Sequence, residues 1–369
     1  MEKEKVLENY IDNKCPNCGS DLKFLPGSKN IKCVSCDSLF DIESLGTGDL
    51  DEYEEDLSSV LENIKQQAKT DVKSKAIHCE DCGGLINIDN KTVSTSCPFC
   101  GSSKVIIEDE SDELIKITGV IPFVLTEEDV KRKFKEWIKG KLYAPRKLKK
   151  GKLSPSFKGF YIPYYTFDSD TISKYSGYRG DYYYTTRVIH TKNGTRTVRE
   201  RHTRWTYRNG VVFKSFDDVL IPGVNNKFKS YVDDISHFNF KLMEKYQEKF
   251  LLGYYSERPS ISLEKGFDES KKVMMNTIHN LCVKDMGGDT YRDLKFNVNY
   301  SDVTFKQIMA PIYNGHYEYN NNKYNFMCNG QTGKFSGKYP ISPLKVALTV
   351  VIILIIVILI FVLVYYQNY

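Results

Sequence analysis

Apolar positions along the chain fall into three kinds of pattern. The first has helical period. Val130, Phe134, Trp137 and Ile138 recur every three or four residues on one face, after Thr126 and Asp129, which are spaced as a helix start; the run ends near Gly140. The same period places Leu57, Val60, Leu61 and Ile64 on a short amphipathic helix. It also predicts a longer helix from about Leu263 to Met286, with Phe267, Met274, Ile278 and Leu281 on one stripe and Gly287-Gly288 as its stop. The second pattern is strand-like and rich in aromatic and β-branched residues. It predicts strands at 159–167, 182–191, 195–207, 294–300, 304–312 and 313–327. Asn193-Gly194 predicts a hairpin turn, and Asn209-Gly210 a second turn into Val211-Val212-Phe213. Ile162-Pro163-Tyr164-Tyr165 and Ala310-Pro311-Ile312-Tyr313 echo one another, each on a strand after a helix, which reads either as a duplicated unit or as coincidence. The third pattern is unbroken apolarity. Val346 to Val364 holds no charge, with Thr349 its one polar member, and at ~1.5 Å per residue it matches the roughly 30 Å hydrocarbon core.

Cysteine spacing adds the chemistry. Cys15-x2-Cys18 is followed by Cys33-x2-Cys36, and Cys79-x2-Cys82 by Cys97-x2-Cys100, every cysteine of the second set standing 64 positions after its counterpart. Each Cys-x2-Cys places two thiolates on one tight knuckle, and two knuckles close a tetrahedral shell. Gly19, Gly83 and Gly101 stand where such a knuckle needs positive φ. Disulfides fit poorly with a charged, run-free N-terminus (Met1 to Lys14), and a redox dithiol usually comes singly. An iron–tetrathiolate is the remaining alternative, and the short gap favours a zinc ribbon. The expectation is two structural Zn2+ ions, one on Cys15, Cys18, Cys33 and Cys36 and one on Cys79, Cys82, Cys97 and Cys100. Shells filled by four cysteines leave no open position for catalysis.

Charge divides the chain. Residues 1–113 carry 12 Lys and no Arg against 24 acids, while the rest carries 40 basic and 23 acidic residues. The acids concentrate in Asp41 to Asp71, read as a linker before the short helix, and in Glu108 to Glu113, read as a solvated hinge. Lys334, Lys338 and Lys345 precede the apolar run and no base follows it, so the large N-terminal part is expected in the cytoplasm. From Lys174 to Arg208 a hairpin carries nine positive residues among interleaved Tyr and Trp. That composition suits anionic lipid or an acidic protein, with nucleic acid behind them because residues 1–113, which hold the ribbons, are strongly acidic as a whole. His190 and His202 fall on facing strands and read as cross-strand packing. Cys282 and Cys328 read as small hydrophobes. Gly330-Gln331-Thr332-Gly333-Lys334 lacks the spacing of a phosphate loop, and no catalytic motif stands out.

The ribbon cysteines resemble those of the bacterial TFIIB-type zinc-ribbon membrane proteins, some of whose members are labelled primosomal protein N′ or replication-restart helicases. So do the segments Gly159 to Asp168, Tyr175 to Gly180, Phe216 to Pro222, Gly287 to Asp289, Thr304 to Lys306 and Asn329 to Lys334. The resemblance implies a non-enzymatic membrane protein of envelope-stress systems, partnered by SPFH/flotillin-like or phage-shock-type proteins.

The fold class expected is two small β zinc ribbons plus an α+β domain with an antiparallel sheet, followed by one C-terminal transmembrane helix. Its parts are a first ribbon at 1–40, an acidic linker with a short helix at 41–74, a second ribbon at 75–107, the α+β domain at 108–340, the membrane helix at 346–364 and a short tail at 365–369. The function expected is a cytoplasmic, membrane-anchored adaptor that recruits protein partners. Its anchor is 346–364 in the bilayer, with an anionic lipid contact through the 174–208 hairpin. The alternative is a nucleic-acid-binding ribbon protein of replication or transcription.

Overall fold

The structure of the chain, a computed structural model, describes residues 14–42, 54–66, 73–87, 96–111, 115–150, 155–191 and 194–367. Three short antiparallel strands open it: β1 (Leu22–Phe24), β2 (Asn30–Cys33) and β3 (Leu39–Asp41). The two-residue strand β4 (Glu55–Asp56) runs into α1 (Leu57–Gln66), and the Asp56 carboxylate accepts from the Ser59 amide at 2.7 Å, closing the helix start. Asp49, Asp51 and Glu52 of the acidic linker lie outside the described residues. A second three-stranded antiparallel sheet follows, with β5 (Lys73–Cys79) between β6 (Leu85–Asn87) and β7 (Val105–Ser111). The hinge expected from Glu108 is corrected here: Glu108 to Ser111 continue β7 in register with β5, because backbone pairing satisfies their amides whatever the side-chain charge. Asp112 and Glu113 lie outside the described residues.

The remaining elements, together with β4, build one nine-stranded sheet and its helices. In chain order they are β8 (Ile117–Val120), α2 (Glu127–Gly140), α3 (Arg146–Lys149), β9 (Ser156–Thr191), β10 (Gly194–Pro222), α4 (Lys229–Ile235), β11 (Glu244–Lys245), β12 (Tyr255–Ser256), α5 (Leu263–Met286), β13 (Thr290–Tyr319), β14 (Asn322–Asn329), β15 (Phe335–Gly337) and α6 (Pro343–Gln367). The main path, β10-β9-β13-β14-β15, is antiparallel throughout. Two parallel pairings, β8 on β13 and β12 on β9, make the whole sheet mixed and larger than an antiparallel meander.

Helices α2 and α5 follow the sequence pattern closely. Thr126 and Asp129 form a reciprocal capping box, and Val130, Phe134 and Ile138 are buried against Phe157 and Phe326. In α5 the buried residues are Leu263, Gly266, Ser270, Met274, Ile278, Cys282 and Met286, over Tyr165, Phe167 and Tyr175. Cys282 takes the stripe position expected of Leu281, since a four-residue step keeps the seam facing the sheet.

The strands depart from it. Asn209-Gly210 makes no turn: β10 passes through, with Gly210 opposite Tyr175. A Cβ at Gly210 would stand 2.6 Å from the Tyr175 ring and 2.8 Å from an Asp285 oxygen, so the glycine makes room for the Tyr175–Asp285 hydrogen bond of 2.5 Å. The strands expected at 294–300 and 304–312 are one, β13, bulged at Asp293 and Asp302 with φ of 54° and 50°. The run 313–327 is broken by a turn at Asn320-Asn321, both at positive φ. Gly194 opens β10 opposite Thr191, and Asn193 lies outside the described residues.

The echoed segments meet. Ile162 pairs with Ala310, flanked by Tyr161 with Pro311 and Pro163 with Met309. Around that pair the two halves match: β8–α2–β9 and β12–α5–β13 are each strand, helix and long strand, and each long strand returns as a hairpin. Val120 pairs in parallel with Met309 as Ser256 does with Tyr161. Gly223 donates its amide to Pro163 O at 2.8 Å as Gly330 does to Pro311 O at 2.9 Å. The register is the one a twofold axis through Ile162 and Ala310 produces, which favours the duplicated-unit reading.

Candidate metal centres

The first four-cysteine cluster is assembled by the turn before β1 and the turn between β2 and β3. Cys15 and Cys36 place their sulfurs 3.7 Å apart, and Cys18 and Cys33 theirs 3.5 Å apart. The second is assembled by the β5–β6 turn and the turn before β7, with Cys79 3.6 Å from Cys100 and Cys82 3.8 Å from Cys97. All four sulfurs of each cluster lie within 4.8 Å of one another. A disulfide needs about 2.05 Å, and all ten cysteines are free. A tetrahedral thiolate shell with metal–sulfur bonds of about 2.3 Å has edges of about 3.8 Å. Both clusters therefore fit a bound metal ion, as the spacing predicted for all eight residues.

The knuckle backbone repeats at each turn. The amides of Gly19, Gly83 and Gly101 donate to the carbonyls of Cys15, Cys79 and Cys97 at 2.8 Å each. These glycines sit at φ of 74°, 74° and 76°, and Asp37 holds the fourth equivalent position at 57°. Hydrogen bonds from the Ser38 hydroxyl and amide pull the Cys36 thiol down to about 6. The Cys82 thiol, with the amides of Cys100 and Phe99 behind it, lowers Cys97 against the cost of burial. Their neighbours move the other way, Cys33 up to about 11 and Cys82 well above its ordinary value through its hydrogen bond to Cys97, so within each cluster one thiol gives up its proton while the adjacent one keeps it.

The clusters differ in how they sit on the sheet. Cys79, Cys82 and Cys97 are buried and belong to the same apolar cluster as Phe99, Phe160, Phe228 and Ile86. The Phe99 ring stands 4.0 Å from that of Phe160. Asn314 donates to the Phe99 carbonyl, Lys323 donates to the Cys100 carbonyl at 2.6 Å, and the Lys227 amide donates to Cys82 O at 2.9 Å. Glu257, fully buried beside this module, is pushed up to about 8 by that burial and accepts from Asn226 at 2.8 Å. None of these contacts has a local sequence signal, because their partners lie 31 to 223 residues apart along the chain. The first cluster is also docked, through Phe24 on Phe250 with ring centroids 5.4 Å apart and Lys29 to Glu244 at 2.7 Å. Its outer edge, with Cys18 and Cys36, is exposed.

The basic hairpin is a two-stranded arm. β13 pairs with β9 only up to Gly180, so 181–191 and 194–204 continue alone. Arg199 lies over Tyr184 at 3.9 Å and Arg201 over Tyr182 at 4.4 Å. His190 and His202 do not face one another: His190 pairs with Thr195, and His202 pairs with Tyr183 and stacks on its ring at 5.3 Å. Cys282 and Cys328 are buried, as their reading as small hydrophobes requires. A third acidic group, Asp168, Asp217 and Asp218, is neutralised in part by Lys306, whose ammonium lies 3.2 Å from Asp218. The helix α6 is long and apolar enough to cross a membrane, and none of its most apolar window is buried against the described residues.

No family model matches the chain, and no solved structure matches it. It is 27% identical over 340 residues to a protein described as the uncharacterized protein YdjG of Bacillus subtilis (strain 168), an alignment that covers 91% of this chain and 92% of that one.

Proposed function

We propose that the protein is a membrane-anchored adaptor. Its two four-cysteine clusters are zinc ribbons with closed, structural shells, and α6 spans the membrane with the body of the chain in the cytoplasm. The observation that carries this reading is the pairing of two four-cysteine clusters, on modules docked on one sheet domain, with an apolar helix whose membrane-length window is unburied. Zinc suits four thiolates on two knuckles, and Lys334, Lys338 and Lys345 on the body side suit a cytoplasmic location. The second ribbon is a built-in part of the sheet domain. The exposed edge of the first ribbon and the arm are the surfaces left to recruit partners, SPFH/flotillin-like or phage-shock-type proteins being those the family resemblance implies. The Arg–Tyr pairs of the arm also favour a second reading, contact with single-stranded nucleic acid, which would stack on such rings.

In-cell cross-linking of the full-length protein, followed by mass spectrometry, tests the adaptor reading with Cys15→Ser/Cys18→Ser beside the parent chain. Partner cross-links that vanish in the variant, while the protein stays in the membrane fraction with one zinc per chain, support it. Unchanged cross-links with the first zinc lost would sink the recruiting role of that ribbon. Salt-sensitive retention of labelled single-stranded DNA or RNA would favour the second reading.

A further inference from the structure

The root of α6 is held against the α2–α3 connection. The Ser342 amide donates to Tyr143 O at 2.8 Å, and the Lys345 ammonium donates to Leu142 O at 3.0 Å and Ala144 O at 2.7 Å. Residues 137–150 therefore lie at the level where the apolar run begins. That segment carries six Lys or Arg and no acid, and the chain holds no acid beyond Glu318. Leu142, Ile341 and Leu344 stand exposed beside these cations at 67%, 58% and 80%. Trp137 stacks on Phe335 with centroids 5.6 Å apart and meets Tyr339 edge-on, and the Lys141 ammonium lies 4.9 Å and 5.5 Å from the Trp137 and Tyr339 rings.

We infer that this collar is a binding surface for anionic lipid head groups. The inference rests on the reading of α6 as a membrane span. Exposed leucines, an aromatic pair and six cations, with Glu136 the one adjoining acid in sequence, are what an interfacial surface of a negative leaflet requires. Continuity with α6 sets the occupant: the first turn of the membrane helix is hydrogen-bonded to the collar, so the head groups around that helix meet these cations. The basic arm is placed otherwise. Phe157 of β9 packs under α2 near the helix root, whereas Trp205 on the arm pairs with Gly180, about 75 Å of strand further along at ~3.3 Å per residue. The collar and the arm are therefore separate surfaces.

The two tryptophans of the chain mark the two places, Trp137 the collar and Trp205 the arm. Full-length protein is reconstituted into phosphatidylcholine vesicles containing a fixed share of chain-brominated lipid, with either a phosphatidylglycerol or a phosphatidylcholine head. Trp205→Phe protein, which reports Trp137 alone, is expected to be quenched about twofold more by the brominated phosphatidylglycerol. That difference is expected to vanish in high salt and in an Arg146→Gln/Lys147→Gln/Lys150→Gln variant. Trp137→Phe protein, which reports Trp205, is expected to be quenched by neither. Equal quenching of Trp137 by both lipids would overturn the inference, as would selective quenching of Trp205. Flotation of the vesicles after an alkaline wash separates the two readings: protein left behind sinks the membrane span itself, and protein that floats without lipid selectivity sinks only the collar.

Discussion

The Lys306 ammonium lies 2.9 Å from the Glu54 carboxylate, 252 residues earlier in the chain, with the lysine side chain 1% exposed. Against the cost of burial, Glu54 and Asp218 hold the lysine charged. The pair pins the β4–α1 segment to β13, where Thr304 and Phe305 pair with Asp56 and Glu55. Lys306→Met would leave three carboxylates facing one another with no cation. The expected cost is about 3–5 kcal/mol, the usual range when one partner of a buried ion pair is removed. Faster hydrogen exchange of the α1 amides, measured alongside the melting temperature in detergent, checks that the loss begins there.

The same cluster gives the protein a pH dependence. Burial, with Glu54 adding to it, pushes the Asp168 carboxyl up to about 7. An unfolded aspartate titrates near about 3.9. Between those values the native chain holds more protons than the unfolded one, so stability falls as pH rises through the window. Asp168→Asn is expected to flatten that slope. At pH 8 it gains on the order of 1 kcal/mol over the parent, a figure discounted for the site's partial exposure to water. Melting curves from pH 5 to pH 8 measure it, and an unchanged slope would count against the assignment.

Metal removal is expected in two stages. The first site exposes Cys18 and Cys36, whereas three cysteines of the second are buried with Phe99 and Phe228. A chelator is expected to take one metal ion per chain with little change in the melt of the sheet domain, and the second only with its unfolding. Metal analysis along a chelator titration, read beside circular dichroism, follows both steps. Sulfur-only shells at about 2.3 Å in X-ray absorption identify the ligands.

Phe99 is the plug of the second site. Phe99→Ala removes a buried ring that packs on Phe160 and is expected to cost about 3–5 kcal/mol. It is also expected to speed loss of the second metal while leaving the first unaffected. Equal rates at both sites in a colorimetric zinc-release assay would contradict the difference in docking.

Gly210→Ala probes the strand that runs through an expected turn. The added methyl meets the Tyr175 ring and Asp285, and the overpacking is expected to cost about 1–3 kcal/mol. A turn at Asn209-Gly210 would resist alanine as well, because its glycine takes positive φ, so the discriminating step is to add Tyr175→Leu: it is expected to restore much of the melting temperature lost to Gly210→Ala only where Gly210 lies opposite Tyr175.

What the sequence determined by itself is what short-range geometry controls. Two thiols three positions apart, followed by glycine at three of the four turns and by Asp37 at the other, make a knuckle wherever they stand, so both four-cysteine clusters were legible. Thr126 and Asp129 closed their capping box within a single helical turn, and an uncharged run from Val346 to Val364 has few structures open to it. The tertiary structure decided everything that depends on register. Asn209-Gly210 is a turn only if no neighbour claims its backbone, and Tyr175 on β9 claims it. His190 and His202 missed one another because the ladder set them seven positions out of pairing. Lys306 found Glu54, and Phe99 found Phe160, through contacts whose partners no local pattern marks. The two cysteine clusters share one spacing, yet one is sealed into the sheet and the other keeps an open edge, because burial is set by what packs from elsewhere in the chain.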